Sequence, residues 1–138
     1  MRYLLDTNIL SDHYEGTSAS LDAWMSARAE DEIAISVITV LELDVGVRRA
    51  ERRDPASGAR LRVWLDDAVR PLFAGRILPV DERVALAAAG FQAPDPMPQM
   101  DALIAATALV HGVTLVTRNV KDVERTGIAI LNPWDLGG

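Results

Sequence analysis

Short apolar runs alternate with longer stretches of helical periodicity along the chain. Tyr3-Leu4-Leu5 is the first such run, and it meets Asp6-Thr7-Asn8. Thr7 or Asn8 is suited to cap a helix, so strand, turn and helix are expected in that order. Ile33-Ala34-Ile35 is the second run, followed by Ser36. A helix is then expected from about Val37 to Arg53, with Ile38, Leu41 and Val45 as its apolar stripe. Asp54-Pro55 and Ser57-Gly58 read as a turn. Leu61 to Leu72 reads as a helix with Leu61, Leu65 and Val69 on one face. Ile77 to Val80 is a third strand, and Asp81 or Glu82 opens a helix that runs through Ala89 to Gly90. Pro94, Pro96 and Pro98 make the stretch from Gln92 to Gln99 a loop. Met100 to His111 is a nearly all-apolar helix stopped by Gly112. Val113 to Val116 and Ile128 to Leu131 are the last strands.

This alternation predicts an α/β sandwich with a short, mostly parallel sheet. The strands are uninterrupted apolar runs, as expected when both faces of a sheet are covered. No repeat or linker interrupts them, so residues 1–138 are expected to form one domain.

Composition narrows the chemistry. The chain has no cysteine, which excludes disulfides and thiolate metal sites. Its two histidines, His13 and His111, lack an acid or histidine at ligand spacing and read as structural or surface residues. The net charge of −6 disfavours a general basic wrapper of nucleic acid but does not exclude an enzyme with acids around a metal. The longest apolar stretch, Ala102 to Val110, is interrupted by Thr107 and is too short to span a membrane. The N-terminal run is too short for a signal-peptide core, and a cytoplasmic protein is expected. Charge is uneven. Residues 1–42 sum to −6, residues 43–76 to +3 and residues 77–138 to −3. Arg48, Arg49, Arg52 and Arg53 share one helix in the basic third, where a polyanion could land, or they are simply a solvated helix end.

Four acidic positions stand out by where they fall. Asp6 closes the first strand, and ligands of open parallel sheets bind beyond the carboxyl ends of strands. By itself it reads first as an N-cap. Glu42 follows Ile38 by four residues and so shares the expected core face, or else reaches water from its edge. Asp101 opens the most apolar helix, whose dipole it would also complement. Thr117-Arg118-Asn119 lies beyond another strand end, with Asp122 three residues later, and Asn119 is suited to cap a helix. A parallel sheet could gather these positions into one pocket. Clustered carboxylates repel one another and are stable chiefly around a hard cation. An oxygen-only ligand set points to Mg²⁺ or Mn²⁺, which suits phosphate chemistry.

Four motifs in this order carry a family likeness: Tyr3-Leu4-Leu5-Asp6-Thr7-Asn8, Ile35 to Leu43, Met100 to Ala106, and Leu115 to Asp122. The chain resembles the PIN-domain ribonucleases, specifically the VapC-type toxins of bacterial toxin–antitoxin pairs. The resemblance implies a three-layer α/β/α fold and Mg²⁺- or Mn²⁺-dependent cleavage of RNA, transfer RNA being the family's usual target. It also implies a homodimer and a small antitoxin partner. Asp6, Glu42 and Asp101 match the three principal acids. Asn119 is carried over as a polar site residue and Asp122 as the fourth acid. Asp6 and Asp101 are the expected direct metal ligands, Glu42 and Asp122 act through water or a second ion, and Arg48, Arg49, Arg52 and Arg53 are the expected RNA contacts. The other readings are a PIN-like binding module that acts only through its partner, and another Mg²⁺-dependent phosphate hydrolase. A dehalogenase-like phosphatase would have a second Asp two residues after the first, where this chain has Asn8.

Overall fold

The computed structural model describes residues 1–136. Five strands form one sheet: β1 (Tyr3–Leu5), β2 (Ile33–Ser36), β3 (Ile77–Leu78), β4 (Thr114–Val116) and β5 (Ile130–Leu131). Their spatial order is β3-β2-β1-β4-β5 and every pairing is parallel. The expected strands are all present: β1 spans the expected residues, β2 also takes in Ser36, and β3, β4 and β5 are shorter by one or two residues. The chain begins in the middle of the sheet, builds outward to β3, and returns on the other side of β1. The change of direction beside β1 is where parallel sheets open a crevice at their carboxyl ends.

Helices cover both faces. The helices are α1 (Thr7–Glu15), α2 (Ala19–Ser26), α3 (Val37–Arg53), α4 (Pro55–Val63), α5 (Arg70–Leu72), α6 (Glu82–Gly90), α7 (Gln99–His111) and α8 (Val120–Val123). One apolar cluster joins Leu5, Ile35 and Val116 of the sheet to Ile9, Leu21, Leu43, Leu65 and Phe73. The opposite cluster joins Leu4, Ala34 and Leu115 to Val84, Ala88, Ile104 and Ala108. Alternate residues of β1 thus point into different cores, as the two-residue period of a strand requires. The result is the expected three-layer α/β/α sandwich.

Three local expectations fail. Residues 57–58 are not a turn. Asp54 caps α4 through Ser57, Pro55 starts the helix, and Gly58 is buried within it. A Cβ on Gly58 would lie 2.4 Å from the Glu51 Cα, so glycine is what lets α4 lie directly on α3. Gly58→Ala should therefore force the two helices apart and lower unfolding free energy by roughly 1–3 kcal/mol or more, measured by urea denaturation. The stripe assigned to α3 is also displaced. Leu41 and Val45 are 47% and 37% exposed, whereas Thr39, Leu43, Val47 and Ala50 are buried. Finally, α2 is absent from the expected elements, although its Ser18 side chain caps it by accepting from the Leu21 N–H. The helix expected from Leu61 to Leu72 is present as the end of α4, a π-helical turn over Trp64–Val69, and α5. Its Leu65 and Val69 are buried as foreseen.

Candidate active site

The carboxyl ends of β1 and β4 are neighbours in the sheet, so Asp6 and Thr117 emerge side by side. Asp6 is the N-cap of α1. Its Oδ1 accepts the Thr7 N–H at 2.8 Å. Its Oδ2 accepts from Thr117 Oγ1 at 2.8 Å and from Asn8 Nδ2 at 3.3 Å. Thr117 is fully buried, and its hydroxyl oxygen in turn accepts from Asn8 Nδ2 (3.2 Å) and the Asn119 N–H (3.0 Å). Cap and site residue are therefore the same carboxylate: the bonds that begin the helix also fix its orientation.

Glu42 sits half-buried on α3, one turn beyond the buried Thr39. The Thr7 hydroxyl donates to Glu42 Oε1 at 2.6 Å and lies 3.1 Å from Thr39 Oγ1. Thr7 thus ties α1 to α3 and leaves Glu42 Oε2 free of any protein donor among the described residues. Neither expectation for Glu42 fits completely. It is beside the core stripe rather than on it, and it is held by a hydroxyl.

Asp101 stands in the first turn of α7, and Ile104, Ala105 and Ala108 behind it are buried. Partial burial, then Asp6, Asp122 and Glu42 in that order, hold its carboxyl above the ordinary carboxylate range. Burial also raises the Asp6 carboxyl, against its hydrogen bonds to Thr117, Thr7 and Asn8 and with a small push from Asp122. Asp101 thus feels each of the other three acids, and Asp6 feels Asp122. Among the described residues none of the four forms an ion pair. Arg118, which lines one cleft with Asp122, instead faces Asp12 at 3.4 Å and lies over the Trp134 ring.

Asn119 and Asp122 line an open cleft of about 510 Å³ with Arg118, Lys121 and Asn132. Asn119 occupies the N-cap position of α8, but its side chain makes no capping bond, contrary to expectation. The Asn119 backbone N–H is instead used on Thr117. His13 bonds Asp22 at 2.9 Å on the surface, and His111 is exposed, so neither belongs to the cleft. The arginines are not brought to the acids. Arg48, Arg49, Arg52 and Arg53 follow Glu42 by six to eleven residues on α3, about 9–16 Å farther along its axis. Arg48 is tied to Asp44 at 2.8 Å. The supporting roles missed from sequence are those of Thr7, Asn8 and Thr117, which hydrogen-bond the acids, and of Thr39, which hydrogen-bonds Thr7. Thr39 carried a signal, a hydroxyl three residues before Glu42 on one helix face.

A parallel sheet in this order, with acids at the end of β1 and in α3, α7 and α8, is the arrangement that the resemblance to PIN domains implies. The PIN domain family model matches residues 3–128, and the chain belongs to that family. VapC ribonuclease Y4jK of Sinorhizobium fredii is 33% identical over 141 residues, covering 96% of this chain and 97% of the relative. The crystal structure of FitAcB from Neisseria gonorrhoeae superposes with a TM-score of 0.87 at 34% identity, covering 96% of this chain and 98% of that one. A toxin–antitoxin complex from Klebsiella pneumoniae gives a TM-score of 0.70 at 28% identity, covering 96% and 98%.

Proposed function

We propose that this chain is the toxin of a toxin–antitoxin pair, a single-domain, cytoplasmic endoribonuclease that needs a divalent cation, Mg²⁺ or Mn²⁺, and cuts transfer RNA or another structured RNA. The observation that carries the reading is that Asp6, at the carboxyl end of the central strand, and Asp101 carry raised carboxyls through burial and neighbouring acids, with no ion pair at Asp6, Glu42, Asp101 or Asp122 among the described residues. The family and the ribonuclease relative support it.

The donor set fits a hard cation. Every candidate ligand is an oxygen, and the raised Asp6 and Asp101 carboxyls are what a cation would relieve. No three His, Asp or Glu side chains form a ready cage among the described residues. Mg²⁺ takes one or two carboxylates and keeps several waters, so Asp6 and Asp101 suffice to hold it. A divalent ion bound there supplies charge neutralisation at the phosphodiester and acidifies water. The protein's part is orientation. Thr117, Thr7 and Asn8 hold Asp6 in one rotamer, and Oδ1, which accepts a single bond, keeps a lone pair for a cation while Oδ2 accepts two. Thr7 holds Glu42 by one oxygen, leaving the other to orient or deprotonate the attacking water. Asp122 is the alternative base, and Asn119 beside it offers an amide to the RNA. Added Mg²⁺ should start cleavage of RNA by purified protein, and a chelator should stop it. RNA binding without cleavage under any divalent ion would favour the non-catalytic binding module instead.

Arg48, Arg49, Arg52 and Arg53 are placed to meet RNA that extends past the cleft. Changing all four to Gln should weaken RNA binding and flatten its dependence on salt concentration. An unchanged slope would leave them as a solvated helix end. Two partners complete the reading. Exposed Val37, Leu41 and Val45, four residues apart on α3, suit a second copy of the chain. A cleft of about 200 Å³ between α1, α3 and α4 runs from Thr7 and Glu42 past Leu43 and Leu61 to Tyr14 and Trp64. An antitoxin could lay an apolar segment there and reach the acids with an arginine, whose planar fork bridges carboxylates.

A further inference from the structure

The loop between α6 and α7 has little means of holding its own shape. Pro94, Pro96 and Pro98 have no N–H to donate. Gln92 does part of the work, accepting the Met97 N–H at 2.7 Å and donating to Gln99 Oε1 at 2.9 Å. The loop carbonyls are gathered by a side chain from the far side of β4. Arg125 donates Nη1–H to the Pro96 carbonyl at 3.3 Å and Nη2–H to the carbonyls of Phe91 and Asp95. A planar guanidinium can reach three carbonyls at once, which an ammonium on a flexible stem cannot. Buried Val123 and Met97 share one apolar cluster, so the same two segments are also packed together.

Both segments lead into the site. Arg125 follows Asp122 by three residues, and the loop ends at Pro98, three residues before Asp101. We propose that Arg125 is a positioning residue of the nuclease: by tying the segment of Asp122 to the loop that delivers Asp101, it sets the separation of these two carboxylates. The inference rests on the nuclease reading of those acids. Asp122 is among the neighbours that raise the Asp101 carboxyl, as that closeness requires.

The test uses Mg²⁺ alone, titrated calorimetrically into the full chain, with RNA cleavage and metal-free melting measured alongside. Arg125→Gln should weaken Mg²⁺ binding about 10- to 100-fold, the usual cost of losing a support behind a metal ligand. In an Asp101→Asn background the same change should cost little, because the metal ligand that the tied loop delivers is already neutral. An equal loss in both backgrounds would make Arg125 a structural tie only and overturn the proposal, as would unchanged affinity in Arg125→Gln. Should Arg125→Gln fail to fold, Arg125→Lys carries the test. It reaches fewer carbonyls, so weakened Mg²⁺ binding is expected and wild-type affinity overturns the proposal. Wild-type protein that neither binds Mg²⁺ nor cuts RNA would sink the nuclease reading itself, and this inference with it.

Discussion

Asp101→Asn should melt at a higher temperature than the parent chain when both are free of divalent ions, and should cut no RNA. Two effects oppose each other at this position. Asp101 in the first turn of α7 gains about 0.3–1 kcal/mol from the helix dipole when ionised. Against that stand partial burial and three carboxylate neighbours, and the raised carboxyl shows that they prevail. The sign for pH follows. Asp6 and Asp101 bind their protons more tightly folded than unfolded, so their contribution to stability is full below the ordinary carboxylate range. It is lost as pH rises through the raised values. Metal-free protein should accordingly lose stability from these two groups as pH rises above the ordinary carboxylate range, and Asp101→Asn should lose less. Mg²⁺ should reverse the loss in the parent, adding about 2.7 kcal/mol at about a hundredfold excess over its Kd. Scanning calorimetry at two pH values, with and without Mg²⁺, checks all of this. A metal-free Asp101→Asn that melts well below the parent would contradict the clustered-acid description.

Thr117→Val should damage stability and activity together. The two side chains are nearly the same size, so packing changes little, but the buried hydroxyl at the centre of the network disappears. Asp6 Oδ2 loses its 2.8 Å donor, and Asn8 and the Asn119 N–H lose an acceptor. Leaving such groups unsatisfied costs roughly 1–3 kcal/mol. Mg²⁺ affinity should fall by about 10- to 100-fold as Asp6 loses its fixed orientation. Urea unfolding and Mg²⁺ titration of the same variant separate the two effects. Wild-type Mg²⁺ affinity would show that Asp6 needs no support from β4.

The sheet and the acids were legible in the sequence because both are written locally. Leu4-Leu5 and Ile33-Ala34-Ile35 are buried, and each run is followed within one residue by the cap of its helix. Asp6 and Asp101 could be named because a carboxylate at a strand end, or opening an apolar helix, is conspicuous against its neighbours. What the sequence hid is what distant segments impose on one another. Gly58 looked like a turn, and only the approach of α3 shows why glycine stands inside a helix. Leu41 and Val45 looked like core because apolar spacing does not say which face meets the sheet. The Thr117 hydroxyl reaches Asn8 across 109 positions and Asp6 across 111, a relation that no local pattern records. Arg125 was invisible for the same reason, since the carbonyls it holds become neighbours only when the fold closes.

The most direct test compares RNA cleavage by the parent chain and by Asp6→Asn at the same Mg²⁺ concentration, with both proteins shown to be folded. Asn keeps the size of the side chain and its oxygen for the Thr7 N–H, so α1 should still form, while the charge that holds the cation is gone. The account predicts RNA cut by the parent and left intact by Asp6→Asn. Equal cleavage by both proteins would contradict it.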